Sequence, residues 1–327
     1  MEKTIIRSGL VLICIFVLFK GYTTGSDPDN GFDLENMLVP REEILQGGPP
    51  RDGIPALTNP GFENAGEYER LDDGDRVLGI FRNGIARAYP LNILNWHEIV
   101  NDRIGEEEIV ITYCPLCYSG MAFIANVDGK HLTFGVSGLL YNSDVLLYDH
   151  QTESLWSQIM AKSISGKFAG TALEQIPIVN TTWIDWKNRY PKTQVLSLDT
   201  GYLRQYSRDP YDDYRTSEDL YFPVKFRSAG YHPKEPVIGI EIRNNSKAYP
   251  VSELSASPSI FSDELGTVKI YITYDVTNQT GIVMDEDCQL LPSVTMYWFA
   301  WYTFHPDTQV YKSGNDKNKS MIPACLD

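Results

Sequence analysis

The sequence predicts a β-rich α+β fold made of two pseudo-repeat lobes from an internal duplication. Three observations carry this prediction. Among 327 residues, 43% are apolar and 12% aromatic, with 20 Tyr and 6 Trp, which favours a β-rich interior with amphipathic aromatics near its surface. The chain also repeats itself. "VLGIFRNGIARAYP" (77–90) aligns with "VIGIEIRNNSKAYP" (237–250), "IVITYCPLCYSG" (109–120) with "IYITYDVTNQTG" (270–281), and "TWIDWKNRYPKTQV" (182–195) with "YWFAWYTFHPDTQV" (297–310). Finally, these blocks read mostly as strands, broken by short helical stretches.

The elements follow in chain order. Residues 1–25 read as a signal peptide or N-terminal anchor. Lys3 and Arg7 precede an apolar run from Gly9 to Phe19, then a polar, turn-rich stretch with Thr23 and Gly25, the pattern of a secretory signal. The run is short for a membrane span, which needs ~20 residues; an uncleaved anchor over residues 5–19 is the alternative. Residues 26–70, rich in Pro, Gly, Asp and Asn, read as an extended arm. The first repeat lobe, 71–200, opens with strands Val77–Phe81 and Ala86–Tyr89 around a glycine-containing "RNG" turn. Pro90 stands where a helix can start, and Leu91, Leu94, Trp96 and Val100 of "LNILNWHEIVND" have helical spacing. "EEIVITY" is a buried-type strand. "MAFIANVDGKHLTFGV" alternates and turns at Asp128-Gly129, a hairpin pattern, and "LLYDHQTESLW" is a second hairpin turned by Asp149 and Thr152. The Trp183/Trp186 block is a short helix with Thr181 or Thr182 as N-cap and Pro191 at its end. An insertion, 134–158, belongs to this copy alone. An irregular, tyrosine-rich connection (201–230) leads to the second repeat lobe, 231–327.

A net charge of −15, spread along the chain, repels phosphate backbones and anionic head groups. It argues against a nucleic-acid partner. The N-terminal pattern places the mature protein outside the cytoplasm: exported to the periplasm, cell surface or medium. Cys14 sits inside the apolar run, so four cysteines remain: Cys114, Cys117, Cys288 and Cys325. Three pairings are open to them in an oxidising compartment, of which Cys288–Cys325 is the plainest.

"IVITYCPLCYSG" holds the chemistry. A thioredoxin-type centre needs a helix after its Cys-x-x-Cys, to lower the pKa of the first thiol; here a hairpin follows. Cys-x-x-Cys between strands resembles a knuckle that aims two sulfurs at one metal ion. In the second copy Cys114, Cys117 and His97 become Asp275, Asn278 and Ser257, a joint loss that a shared site would show. His97 is thus the third ligand candidate, and its bland alternative is a helix histidine bonded to a backbone carbonyl. Candidates for a fourth ligand are His150, Asp149, Asp144 and His131, with His150 put first. Thiolate and imidazole suit copper or zinc, with copper favoured outside the cytoplasm. Glu98 and Asp102 read as solvated helix charges. There is no nucleophile elbow, P-loop, dinucleotide fingerprint or His-Glu-x-x-His motif, and whether the protein is an enzyme is left open. Two other readings stand: a thiol–disulfide redox protein using Cys114/Cys117, and an extracytoplasmic interaction scaffold whose cysteines only close a turn. The protein or small-molecule partner is unspecified in each.

"AYPLNILNWHEIVND", "ITYCPLCYSGMAF", "FGVSGLLYNSDVLLYDHQTESLWSQ" and "FAWYTFHPDT" closely resemble the family catalogued as domain of unknown function 3179. The resemblance runs over roughly 70–312, with His97, Cys114 and Cys117 at matching positions. It implies an exported or membrane-anchored protein and brings no established activity.

Overall fold

Tight turns set the strand pairing. Asn83 and Gly84 both take positive φ (52° and 75°), the geometry of a type I′ turn whose twist matches that of paired strands. They join Arg76–Arg82 to Ile85–Pro90, with Arg82 opposite Ile85. Arg243 and Asn244 (φ 49° and 65°) do the same between Pro236–Ile242 and Asn245–Pro250. Asn142 and Ser143 (φ 51° and 66°) join Phe134–Tyr141 to Asp144–Asp149. The computed structural model describes residues 29–314. The signal or anchor at 1–25, the candidate span 5–19 and Cys325 lie outside the described residues. Cys288 is disulfide-bonded. No helix among the described residues is long and apolar enough to cross a membrane.

The chain is β-rich, 40% strand against 12% helix, in a five-blade β-propeller-like arrangement. One five-stranded sheet runs 179–182, 76–82, 85–90, 194–196, 62–64, and a four-stranded sheet runs 294–297, 236–242, 245–250, 309–310 in the same pattern. A second five-stranded sheet contains the antiparallel run 99–104, 107–114, 119–124, matched by a three-stranded sheet of 260–265, 268–275, 280–284. The insertion builds the remaining blade from 134–141, 144–149 and 155–157. Segments of 29–70 add an edge strand to three of these sheets: Ile44–Gln46 against 134–141, Leu57–Thr58 against 99–104, and Phe62–Asn64 against 194–196.

Matching contacts recur in the two halves. A Cβ on Gly79 would sit 2.3 Å from the Trp186 ring, and one on Gly239 would sit 2.2 Å from the Trp301 ring. The glycine leaves room for the indole to lie flat on the strand, and each indole N–H donates to a threonine hydroxyl at 2.9 Å, Thr193 and Thr308 respectively. Tyr89 donates to buried Asp102, which also pairs with Arg87; Tyr249 donates to Asp263, paired with Lys247. A buried carboxylate needs a cation and donors to offset its lost hydration, and both halves supply the same set. Asp102 is therefore a structural buried ion and not a solvated charge.

The helix predicted from "LNILNWHEIVND" is shorter than its apolar spacing suggests. It spans Leu91–His97 and stops at Glu98, whose φ of 57° breaks the helix, and Ile99–Ile104 is a strand. Thr182 caps Trp183–Arg189 by accepting from the Asp185 N–H. Asp149 accepts from both the N–H and hydroxyl of Thr152 and turns the second hairpin. The halves are not separate bodies. The largest apolar cluster draws on Cys114, Met121 and Trp156 together with Val237, Met296 and Trp298.

Candidate metal centre

Cys114 is the last residue of the strand Glu107–Cys114, and Cys117 lies in the turn before Ser119–Ile124. Both are free thiols, and both are buried, at 1% and 0% exposure. The turn is held by the insertion. Gln158 donates to the Thr112 hydroxyl at 2.8 Å and accepts from the Ser119 hydroxyl at 2.7 Å, bridging the two strands that carry it. The Asn142-Ser143 turn brings the insertion's first hairpin onto the sulfurs. Cys117 Sγ donates to the Ser143 carbonyl at 3.3 Å, and Cys114 Sγ lies 3.7 Å from the same oxygen.

The residue after that turn is Asp144. Donor atoms of Cys114, Cys117 and Asp144 lie within 4.8 Å of one another, and all three residues are buried. Asp144 Oδ2 accepts the Ile159 N–H at 3.0 Å. Oδ1 is buried without a hydrogen-bond partner, and the Ile159 and Val145 N–H groups and the Cys114 thiol neighbour the carboxyl. Burial lifts the Asp144 carboxyl to about 8. Glu98, also buried, is lifted to about 8, first by burial and then by the Asp144 charge. Cys117 is pushed well above its ordinary range by burial and by Cys114 beside it. Burial is the largest cause of each shift, and neighbouring acidic groups add to those of Glu98 and Cys117.

His97 does not join this group. It is fully buried at the end of its helix, with Nδ1 2.7 Å from the Pro55 carbonyl and Nε2 2.7 Å from the Tyr206 hydroxyl. Both ring nitrogens are engaged, and burial lowers its pKa, so it fits the bland alternative of a bonded helix histidine. His150 is exposed and lies tilted against Tyr148, with ring centroids 4.9 Å apart. Asp149 is occupied by its own turn and by the Trp156 indole, and His131 is exposed on a short hairpin. Of the four candidates for a further ligand, Asp144 is the one the fold brings to the cysteines. Glu98 is not a solvated helix charge; the backbone reversal at φ 57° buries it.

The connection covers the site. Tyr211, Tyr214, Leu220 and Phe222 pack on the cluster that contains both cysteines. A cleft of about 610 Å³ is lined by Tyr118, Asn95 and Arg215 among others, and the cysteines do not line it. In the second half the equivalent turn is closed on itself. Asp275 accepts from the Thr277 and Asn278 N–H groups and from the Asn278 side chain at 2.7 Å. The Asp275–Asn278 turn thus has a local partner for its polar side chains, whereas Cys114 and Cys117 neighbour each other, the Ser143 carbonyl and Asp144.

A family model described as "Protein of unknown function (DUF3179)" matches residues 51–289. The chain belongs to the DUF3179 family. That span includes Glu98, Cys114, Cys117, Asp144 and the covering connection. No protein of curated function and no solved structure matches the chain.

Proposed function

We propose that this DUF3179 protein binds one transition-metal ion through Cys114, Cys117 and Asp144, in the first of two units that arose by duplication. The observation that carries this is the buried three-residue group with its unpaired Asp144 oxygen. A divalent ion would replace protons on all three groups, as metal binding to thiol and carboxyl ligands does. Two thiolates and a carboxylate oxygen fit zinc better than copper(I), which prefers soft donors only. Three protein ligands with a fourth position left over is the pattern of metal centres that admit a further ligand. The thiol–disulfide reading loses support, because both thiols are sealed from solvent and burial holds Cys117 protonated, the opposite of a reactive thiolate.

The duplication explains why the site is single. Both halves keep the glycine–tryptophan–threonine contact and the tyrosine–aspartate–cation set, but only the first has the two cysteines and the insertion blade. Metal analysis of tag-free protein tests the reading. About one zinc per chain is expected, lost in Cys117→Ser and Asp144→Ala but kept in His97→Gln. A metal-free wild type with a reversible Cys114–Cys117 disulfide contradicts it. The N-terminal pattern supports an exported setting, and metal uptake would then occur outside the cytoplasm.

A further inference from the structure

The cover over the site contributes more than apolar packing. Tyr214 lies on the short helix Asp212–Thr216 of the connection and is 1% exposed. Its ring packs in the same cluster as Cys114 and Cys117. The hydroxyl is buried without a hydrogen-bond partner. A buried phenol is ordinarily paired, because an unpaired one forfeits its hydration. Beyond burial, the neighbouring groups that act on it most are Cys117 and Cys114.

A second feature fixes that hydroxyl. Lys234 is 5% exposed and has no carboxylate partner among the described salt bridges. Its ammonium donates to three backbone carbonyls of one segment: Tyr214, Ser217 and, at 2.8 Å, Asp219. It also sits 3.5 Å from the centroid of the Tyr214 ring, a cation–π contact. All three ammonium donors are thereby used to hold one turn of backbone and one ring. The far end of the cover is tied to the hairpin that carries Asp144, where the Ser143 hydroxyl donates to the Phe222 carbonyl at 2.8 Å and Asn142 accepts the Lys225 N–H at 2.8 Å.

We infer that Tyr214 donates a hydrogen bond to a small non-protein ligand, a water or simple anion, in the fourth position beside Cys114, Cys117 and Asp144, and that Lys234 is its positioning residue. The inference rests on the metal reading above. It accounts for the two orphaned polar atoms together: the Asp144 oxygen faces the ion, and the phenol faces what the ion carries in addition.

Cobalt(II) replacing the native metal in the full chain gives the test, because its visible spectrum reports coordination. Azide, an acceptor that can fill an open position, is titrated into wild type, Tyr214→Phe and Lys234→Met. Wild type is expected to give a saturable spectral change. Tyr214→Phe keeps cobalt and its sulfur-to-cobalt band but binds azide about tenfold more weakly, the effect of losing one hydrogen bond; Lys234→Met shifts affinity in the same direction. Circular dichroism identifies any variant that has not folded, and the conservative Tyr214→Phe then decides. Cobalt uptake with no azide response, equal affinity in wild type and Tyr214→Phe, or loss of cobalt in Tyr214→Phe each overturns the inference while leaving a metal site. No cobalt uptake by wild type overturns the metal reading and the inference alike.

Discussion

At the scale of single residues, the acidic groups around the cysteines set how the metal-free protein responds to pH. Burial raises Asp144 from its ordinary 3.8, and Glu98 from 4.5, each to about 8. Between those limits the unfolded chain has released these protons while the native chain keeps them. The native state then binds more protons than the unfolded state, so stability falls as pH rises through this window and levels off above about 8. The melting temperature of metal-free protein is expected to drop from about pH 4 to about pH 8, and Asp144→Asn is expected to flatten that slope. A melting temperature that rises over the window, with the same profile in Asp144→Asn, contradicts the assignment of a buried protonated carboxyl. On the proposed metal reading the trend reverses, since an ion displaces the Asp144 proton and its affinity grows with pH. Cys114 and Cys117 were legible in the sequence because their spacing is local. Glu98 was not, because nothing marks it as a residue of positive φ.

At the scale of elements, the two tryptophan helices are seated by a missing side chain. Gly79 and Gly239 let Trp186 and Trp301 lie against their strands, where a methyl group would stand 2.3 Å and 2.2 Å from the rings. The neighbour is a large buried ring, so relief requires the helix itself to move. Gly79→Ala and Gly239→Ala are each expected to cost about 1–3 kcal/mol, as overpacking does, measured by denaturant unfolding. Gly66→Ala, with nothing within 4 Å of the added methyl, is the neutral control. Equal stability of all three variants contradicts the seating. The hairpins at Asn83-Gly84 and Asp128-Gly129 were legible because Asn-Gly and Asp-Gly pairs tolerate positive φ. The end of the Leu91–His97 helix was not, because Val100 continues its apolar spacing and the strand that claims Ile99–Ile104 is paired at a distance.

At the scale of the molecule, the halves interlock. Arg76 of the first donates to the Asn278 carbonyl of the second at 2.6 Å, and Thr182 donates to the Asn278 side chain. In return, the Cys117 carbonyl accepts the Tyr297 N–H at 2.9 Å. Each half's turn thus docks at the start of the other half's tryptophan helix. Calorimetry is expected to show one unfolding transition; two well-separated transitions contradict a shared core. The matching contacts of Gly79 with Trp186 and of Gly239 with Trp301 were legible as aligned residues, because a packing contact constrains residue type wherever it recurs. Asp144 was legible only as one of four candidates for a fourth ligand behind His97, since choosing it requires knowing that the Asn142-Ser143 turn carries the insertion back onto the cysteines. Tyr214 could not be read at all, because an irregular connection places it. The central claim is the identity of the ligands, and X-ray absorption at the edge of the bound metal measures it directly. Two sulfur neighbours at about 2.3 Å and oxygen or nitrogen neighbours at about 2.0 Å, with no histidine multiple-scattering signal and with the oxygen shell reduced in Asp144→Ala, are predicted. A shell without sulfur, or one containing imidazole, contradicts a site made by Cys114, Cys117 and Asp144.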